Sequence, residues 1–247
     1  MCNRFEQAKA LVQEVTNRLP EIEKSYNDSL AKRNIDVALQ VGIKGIIDNL
    51  RSALDYVAYE LYDRFGAKTG NAKVYFPIAS REAKQTDFKS LVGKNIPNLP
   101  ERYPDIVSVF ESFQYFTSSD NSWLPDLAIL AIENKHKNFS PQVRKETREL
   151  RIQSGGSAVS IGEGSRIQIG SNAMIQIGGM VIPGGQTIGP GSPPLQYGSG
   201  KVEDITWVSF EFTDIGQPVL PFLKKSTDGV AKIIETIHGK IGVTKPI

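Results

Sequence analysis

The sequence predicts an α+β protein: mainly an α-helical bundle, with a glycine-rich antiparallel β insertion before a C-terminal strand and helix. Three observations carry that expectation. Apolar residues recur by threes and fours along most of 1–150, the spacing of one helix face. The stretch 152–200 abandons this spacing, and its 49 residues hold two charges, Glu163 and Arg166, and 13 of the 22 glycines. Beyond it, 205–212 alternates with a period of two, and 219–237 returns to the helical period. The expected boundaries are 1–150 for the bundle core, 151–216 for the insertion and closing strand, and 217–247 for a helix that packs back on the bundle.

The first helix carries Phe5, Ala8, Leu11, Val12, Val15, Leu19, Ile22, Tyr26 and Leu30 on one stripe. Pro20 should kink or restart it, because proline lacks the N–H that an inner helical turn needs. A second long helix starts near Asp36, with Val37, Val41, Ile43, Ile47, Leu50, Leu54, Val57, Ala58, Leu61 and Phe65 as its stripe. Gly66 is the expected stop, in the left-handed C′ conformation. Shorter helices are expected over 80–92, capped by Ser80, over 103–115, and over 121–137, capped by Asp120 or Asn121. VYFPI at 74–78 should be extended, since the residue before Pro77 is driven out of the helical region.

Residues 157–180 read SAVSIGEG SRIQIGSN AMIQIGGM, one octad pattern three times. Val159, Ile161, Ile167, Ile169, Ile175 and Ile177 share one parity and in strands would share one face. Ser160, Arg166, Gln168, Met174 and Gln176 take the other. A β-solenoid with one strand per coil and an antiparallel meander both satisfy the octad. The loops Gly162-Glu163-Gly164 and Gly170-Ser171-Asn172 favour the meander, because Gly164 and Asn172 tolerate the left-handed residue that closes a three-residue hairpin loop. In the closing strand Val208, Phe210 and Phe212 face one way, and Ile205 and Trp207 the other. Pro218 and Pro221 suit the start of the last helix. Its stripe is Val219, Leu220, Leu223, Val230, Ile233, Ile234 and Ile237, with Gly229 as a weak point.

Composition bounds the chemistry. A net charge of +2 makes no global claim for nucleic acid. The single cysteine, Cys2, excludes an internal disulfide and fits a reducing compartment. The N-terminal residues lack the apolar run of a signal peptide, and no stretch is apolar enough for a membrane span, so a cytoplasmic location without membrane contact is expected. With two histidines and one cysteine there is no zinc spacing, and no metal or cofactor is expected. No phosphate-loop or dinucleotide pattern opens a helix, and no nucleophile elbow is present.

Two polar stretches remain. Asp48-Asn49-Leu50-Arg51-Ser52-Ala53-Leu54-Asp55-Tyr56 places Arg51 one turn from both Asp48 and Asp55, beside an apolar stripe. Charges so close to a core are usually paired. Glu133-Asn134-Lys135-His136-Lys137-Asn138 ends a helix, where cations suit the dipole. The segment from Lys135 to Arg151 holds six cations and two acids, a modest basic stretch.

LRSALDYVAYEL at 50–61, the Phe76-Pro77 turn and NKHK at 134–137 together resemble a widespread, poorly characterised bacterial family. Its members carry LRSALDH on a long helix, an FPI-like turn, and DKHR on a later helix. Arginine, four residues, then histidine also resembles the catalytic signature of HEPN ribonucleases, helical proteins that cut RNA as dimers. The resemblance implies an Arg51 that stabilises phosphate charge in the transition state and a histidine that moves the 2′-hydroxyl proton. Here position 56 is Tyr, whose hydroxyl titrates near 10, and the aspartate of DKHR is Asn134. A nuclease would need His136 to stand in.

The catalytic candidates are therefore Arg51, Tyr56 and His136. The binding candidates are Asp48, Asn49, Arg51, Asp55, Tyr56, Asn134, Lys135 and His136. The leading functional expectation is a non-catalytic, self-assembling or partner-binding cytoplasmic protein that forms a homo-oligomer, a dimer first. The alternatives are a divergent, metal-independent HEPN-like ribonuclease acting on RNA as a dimer, and a small-ligand or nucleic-acid binder.

Overall fold

A computed structural model of the chain describes residues 3–32, 35–67, 73–136, 142–192 and 200–243. The fold is α+β, a helical bundle with a curled antiparallel β insertion ahead of a C-terminal strand and helix. The chain divides into two compact units, residues 1–143 with 211–247, and residues 144–210.

The first unit holds all the described helices. α1 (Arg4–Lys32) buries Phe5, Ala8, Val12, Val15, Ile22 and Tyr26. It runs through Pro20 without restarting. Pro20 sits on the solvent side, where the carbonyl that loses its partner meets water. α2 (Val37–Phe65) is capped by Asp36, whose side chain accepts from Ala38 N at 3.0 Å. Its buried stripe runs from Leu39 through Ile43, Ile46, Ile47, Leu50, Leu54, Val57 and Leu61 to Phe65. Val37 and Val41, expected on that stripe, are 62% and 50% exposed. α2 does stop at Gly66, but in an extended conformation at φ −75°, not a left-handed one. What requires glycine there is space, since a Cβ would lie 2.6 Å from the Tyr62 ring.

Residues 73–80 form no helix. α3 (Gln85–Asn95) starts later than expected. Ser80 does not cap it: the Ser80 carbonyl accepts from Ala83 N in a turn at 3.2 Å, and Lys84 is the residue ahead of the helix. A short helix outside the expected set, α4 (Leu99–Arg102), precedes α5 (Pro104–Ser112), which is the helix expected over 103–115 and has Pro104 in its first turn. A 3-10 turn over Ser119–Ser122 leads into α6 (Trp123–His136). Ser118 caps the 3-10 turn, its hydroxyl accepting from Asp120 N, while the Asn121 amide donates back to the carbonyls of Ser112 and Gln114. α7 (Val219–Val243) buries Val219, Leu223, Val230, Ile233, Ile234 and Ile237, and packs on α1, α2, α5 and α6. Gly229 is the contact point with Trp123, whose Cζ2 would lie 2.2 Å from an added Cβ.

The second unit is reached by β1 (Gln142–Ser154) and left by β7 (Lys201–Phe212). β1 begins ahead of the expected 150/151 boundary, so 142–150 are strand and not bundle. Between the two lie β2 (Ser157–Gly162), β3 (Ile167–Gln168), β4 (Met174–Ile177), β5 (Met180–Pro183) and β6 (Thr187–Ile188). A short β8 (Gln217–Pro218) pairs with the end of β7 in the first unit.

The octads are not a meander. β2 pairs with β1, β3 with β6 and β4 with β5, so each octad strand belongs to a different sheet. Two-residue hairpin turns decide this. Gly155 and Gly156, at φ 53° and 82°, fold β2 back on β1 with Ser154 opposite Ser157. Both positive angles belong to the turn type whose twist matches a hairpin. Gly178-Gly179 turns β4 into β5, with Ile177 opposite Met180. The octad loops are tight turns instead, with Ser165 N on Gly162 O at 3.1 Å and Ala173 N on Gly170 O at 3.0 Å. Gly164 is left-handed at φ 77°, but the only described non-glycine with positive φ is Asn98, so Asn172 is not.

The parity survives the different pairing. Ile161, Ile169 and Ile177 are buried with Leu150, Ile152, Met180, Ile182 and Ile188, while Val159, Ile167 and Ile175 pack against that cluster. Ser160, Arg166, Gln168, Met174 and Gln176 are exposed. Each buried side chain contributes about 1.5–3 kcal/mol, which makes the block a packed core and not a linker. Phe210 and Phe212 are buried on β7 as their alternation required; the Trp207 side chain lies outside the described residues.

Candidate binding site

The polar segment of α2 faces the irregular stretch 73–80. Arg51 and Asp55 stand one turn apart, with Nη2 2.9 Å from Oδ1 and side chains 14% and 16% exposed. Between them they hold both backbone polar groups of Phe76, just ahead of Pro77: Phe76 N donates to Asp55 Oδ1 at 3.0 Å, and Arg51 Nη2 reaches Phe76 O at 3.5 Å. Phe76 is buried and meets Phe110 edge-on at 5.1 Å.

A second clamp holds the same stretch from α5's side. Gln114, fully buried, accepts from Ala79 N at 2.9 Å and donates to Pro77 O and Phe110 O. A third lies just beyond: Arg81 binds Asp126 through Nε and Nη2 at 2.6–3.1 Å and lies over the Tyr115 ring. The hydrogen bonds to Asp126 raise the Arg81 pKa above its ordinary value, against the opposing effect of burial. Asp126 is buried, so this pair anchors α6 to the turn.

These clamps leave a cleft of about 400 Å3 lined by Arg51, Asp55, Tyr75, Phe76, Ile78, Asn95, Ala128, Ala131 and Ile132. Tyr75 is 49% and Ile132 59% exposed, so its rim is apolar and open.

Of the expected site residues, the structure joins Arg51 and Asp55. Asp48 does not pair with Arg51; it pairs with Lys44, one turn earlier on the same helix. Asn49 is half-buried and Asn134 buried, and neither is among the described lining residues. Tyr56 is 38% exposed and does not line the cleft. Five residues on a helix rotate it about 140° away from Arg51. The side chains of Lys135 and His136 lie outside the described residues. The second histidine, His238, is exposed on α7, with its ring tilted against that of Phe5 at 4.9 Å.

Sequence reasoning missed Gln114, Arg81, Asp126, Asn95 and Ile132. Only Asp126 left a signal, as an acid in a strongly apolar helix, where a charge needs a partner. No helix among the described residues is long and apolar enough to cross a membrane. Among the described residues no group of His, Cys, Asp and Glu side chains has the arrangement to hold a metal ion. Comparison with family models, with curated proteins and with solved structures finds no match to this chain.

Proposed function

We propose that this chain is a non-catalytic binding protein of the cytoplasm, and that the cleft on Arg51 and Asp55 is where its ligand or partner sits. The observation that carries this is the cleft itself. It is a concave site with mostly apolar walls and a few convergent polar groups, the usual composition of a ligand pocket. The HEPN-like nuclease reading finds less support. The charge that phosphate would require is matched by Asp55, and Tyr56 stands on another face of α2.

A thermal-shift screen of small metabolites against the full chain tests this. At least one compound should stabilise the wild type and leave Ile132→Asp unshifted. Metal-independent cleavage of single-stranded RNA, abolished by Arg51→Ala, would overturn it in favour of the nuclease.

Self-assembly is a second reading, supported by the outer face of the β4–β5 hairpin. Met174 opposes Pro183 and Gln176 opposes Val181, and Met174 and Val181 are 69% and 41% exposed. This face carries no charge, so two copies meet without repulsion. The double substitution Met174→Lys with Val181→Lys should shift light scattering from dimer to monomer; a wild type already monomeric at high concentration sinks this reading.

A further inference from the structure

We infer that the cleft takes a neutral, largely apolar molecule through a carbonyl-type hydrogen-bond acceptor, with Arg51 as the selecting group. The inference rests on the cleft being a binding site. A guanidinium has five N–H donors. Arg51 directs Nη2 to Asp55 Oδ1 and Phe76 O, and its Nε and Nη1 donors have no partner among the described residues. Those donors belong to a side chain that is mostly buried yet lines an open cleft. They are the unmatched polar feature of the site.

Charge decides which acceptor suits them. Asp55 lies against the same guanidinium, so Arg51 and Asp55 together are neutral. An incoming carboxylate is attracted by one and repelled by the other at similar distance, and the two Coulomb contributions largely cancel. It would still lose hydration on entering between apolar walls. An ammonium faces the reverse balance, attracted by Asp55 and repelled by Arg51, and it too loses hydration on entering. A neutral carbonyl oxygen gains a charge-assisted hydrogen bond without desolvating an ion. The walls fit the rest of such a molecule: Tyr75 presents an aromatic ring, and Ile78, Ala128, Ala131 and Ile132 present aliphatic surface. Asn95 adds an amide that donates and accepts.

Three probes of one shape and different charge test this: benzamide, benzoate and benzylammonium. Each is titrated into the full chain with alanine and isoleucine methyls labelled for NMR. Benzamide should move the methyl signals of Ala128, Ala131 and Ile132 and bind about tenfold more tightly than either charged probe, the worth of one hydrogen bond to a charged donor. Arg51→Met should erase that preference. Ile132→Asp, at an exposed position that leaves the fold intact, should weaken benzamide by a similar factor. Tighter binding of benzoate would overturn the proposed selectivity while leaving the cleft as a binding site. Unchanged benzamide affinity in Ile132→Asp would remove the ligand from the cleft. Absence of any methyl shift with all three would overturn both this inference and the binding reading.

Discussion

Removing Asp55 should cost the bundle more than removing Arg51, and the two losses should not add. Asp55→Ala takes the acceptor from Phe76 N, at a residue 1% exposed, and strands a guanidinium whose side chain is 14% exposed. An unsatisfied buried N–H costs about 1–3 kcal/mol. Breaking a buried pair costs about 3–5 kcal/mol, an upper bound here because the cleft admits water to Arg51. A total of about 2–4 kcal/mol follows. Arg51→Met breaks the same ion pair and loses the long contact to Phe76 O, but Asp55 still accepts from Phe76 N, which keeps its carboxylate partnered, so a smaller cost of about 1–2 kcal/mol is expected. In the double variant no stranded guanidinium remains, and the combined cost should fall short of additivity by about 1–2 kcal/mol. Urea unfolding followed by circular dichroism at the helix band reads the first unit, because every described α-helix lies there. Equal single costs, or additivity within about 0.5 kcal/mol, would show that the pair does not hold the turn as described.

Other substitutions probe the two units separately. Gly184→Ala would push a Cβ to 2.2 Å from Gly170 O and under 3 Å from two more carbonyls, so amide protection at Ile169 and Ile182 should be lost while the helix band is retained; normal protection contradicts this. Gly229→Ala, favourable for an isolated helix by about 1 kcal/mol, should instead lower the melting temperature, because Trp123 occupies the space; a rise would show that Trp123 repacks freely. Pro20→Ala should raise the urea midpoint, by an amount equivalent to about 1–3 kcal/mol, by restoring a donor inside α1; a lower midpoint counts against an unbroken helix there. Asp126→Ala should destabilise by about 1–3 kcal/mol, since it removes both acceptors of Arg81, whose side chain is 37% exposed and can turn to water; a change below 0.5 kcal/mol, the ordinary surface value, would mean the anchor is idle.

Periodicity made much of this legible. The helical spacing located the long helices, and the single parity of the octad isoleucines identified the face that became a core. The Arg51–Asp55 pair followed from a one-turn spacing beside an apolar stripe. What stayed hidden is non-local. The partners of the octad strands come from 149–154 and 180–188, and nothing in the octads specifies them. After the Gly178-Gly179 turn the buried parity switches to Met180, Ile182 and Ile188, which reads as a broken repeat in sequence and as a hairpin in space. Val37 and Val41 fit the stripe by type but lie on the exposed side of α2. Gln114 is a polar residue whose role exists only once the carbonyls of 77 and 110 converge on it. Tyr56 was separable from Arg51 by arithmetic alone, since five residues do not share a helix face.

The hairpin tip at Gly178-Gly179 rests directly on the first turn. A Cβ on Gly178 would lie 2.0 Å from Ser154 O, and Gly179 N donates to Ser154 Oγ at 3.0 Å. That docking fixes the copy number of the octad. A solenoid lengthens by duplicating a coil, because every coil meets an identical neighbour. Here each copy meets a different strand, and the third ends against a fixed stop. A fourth octad would drive the tip past Ser154 and leave its own isoleucines without a partner strand. The repeat looks like an array that gene duplication could extend, yet its geometry closes at three, so related chains should vary in the residues of the octads and not in their number.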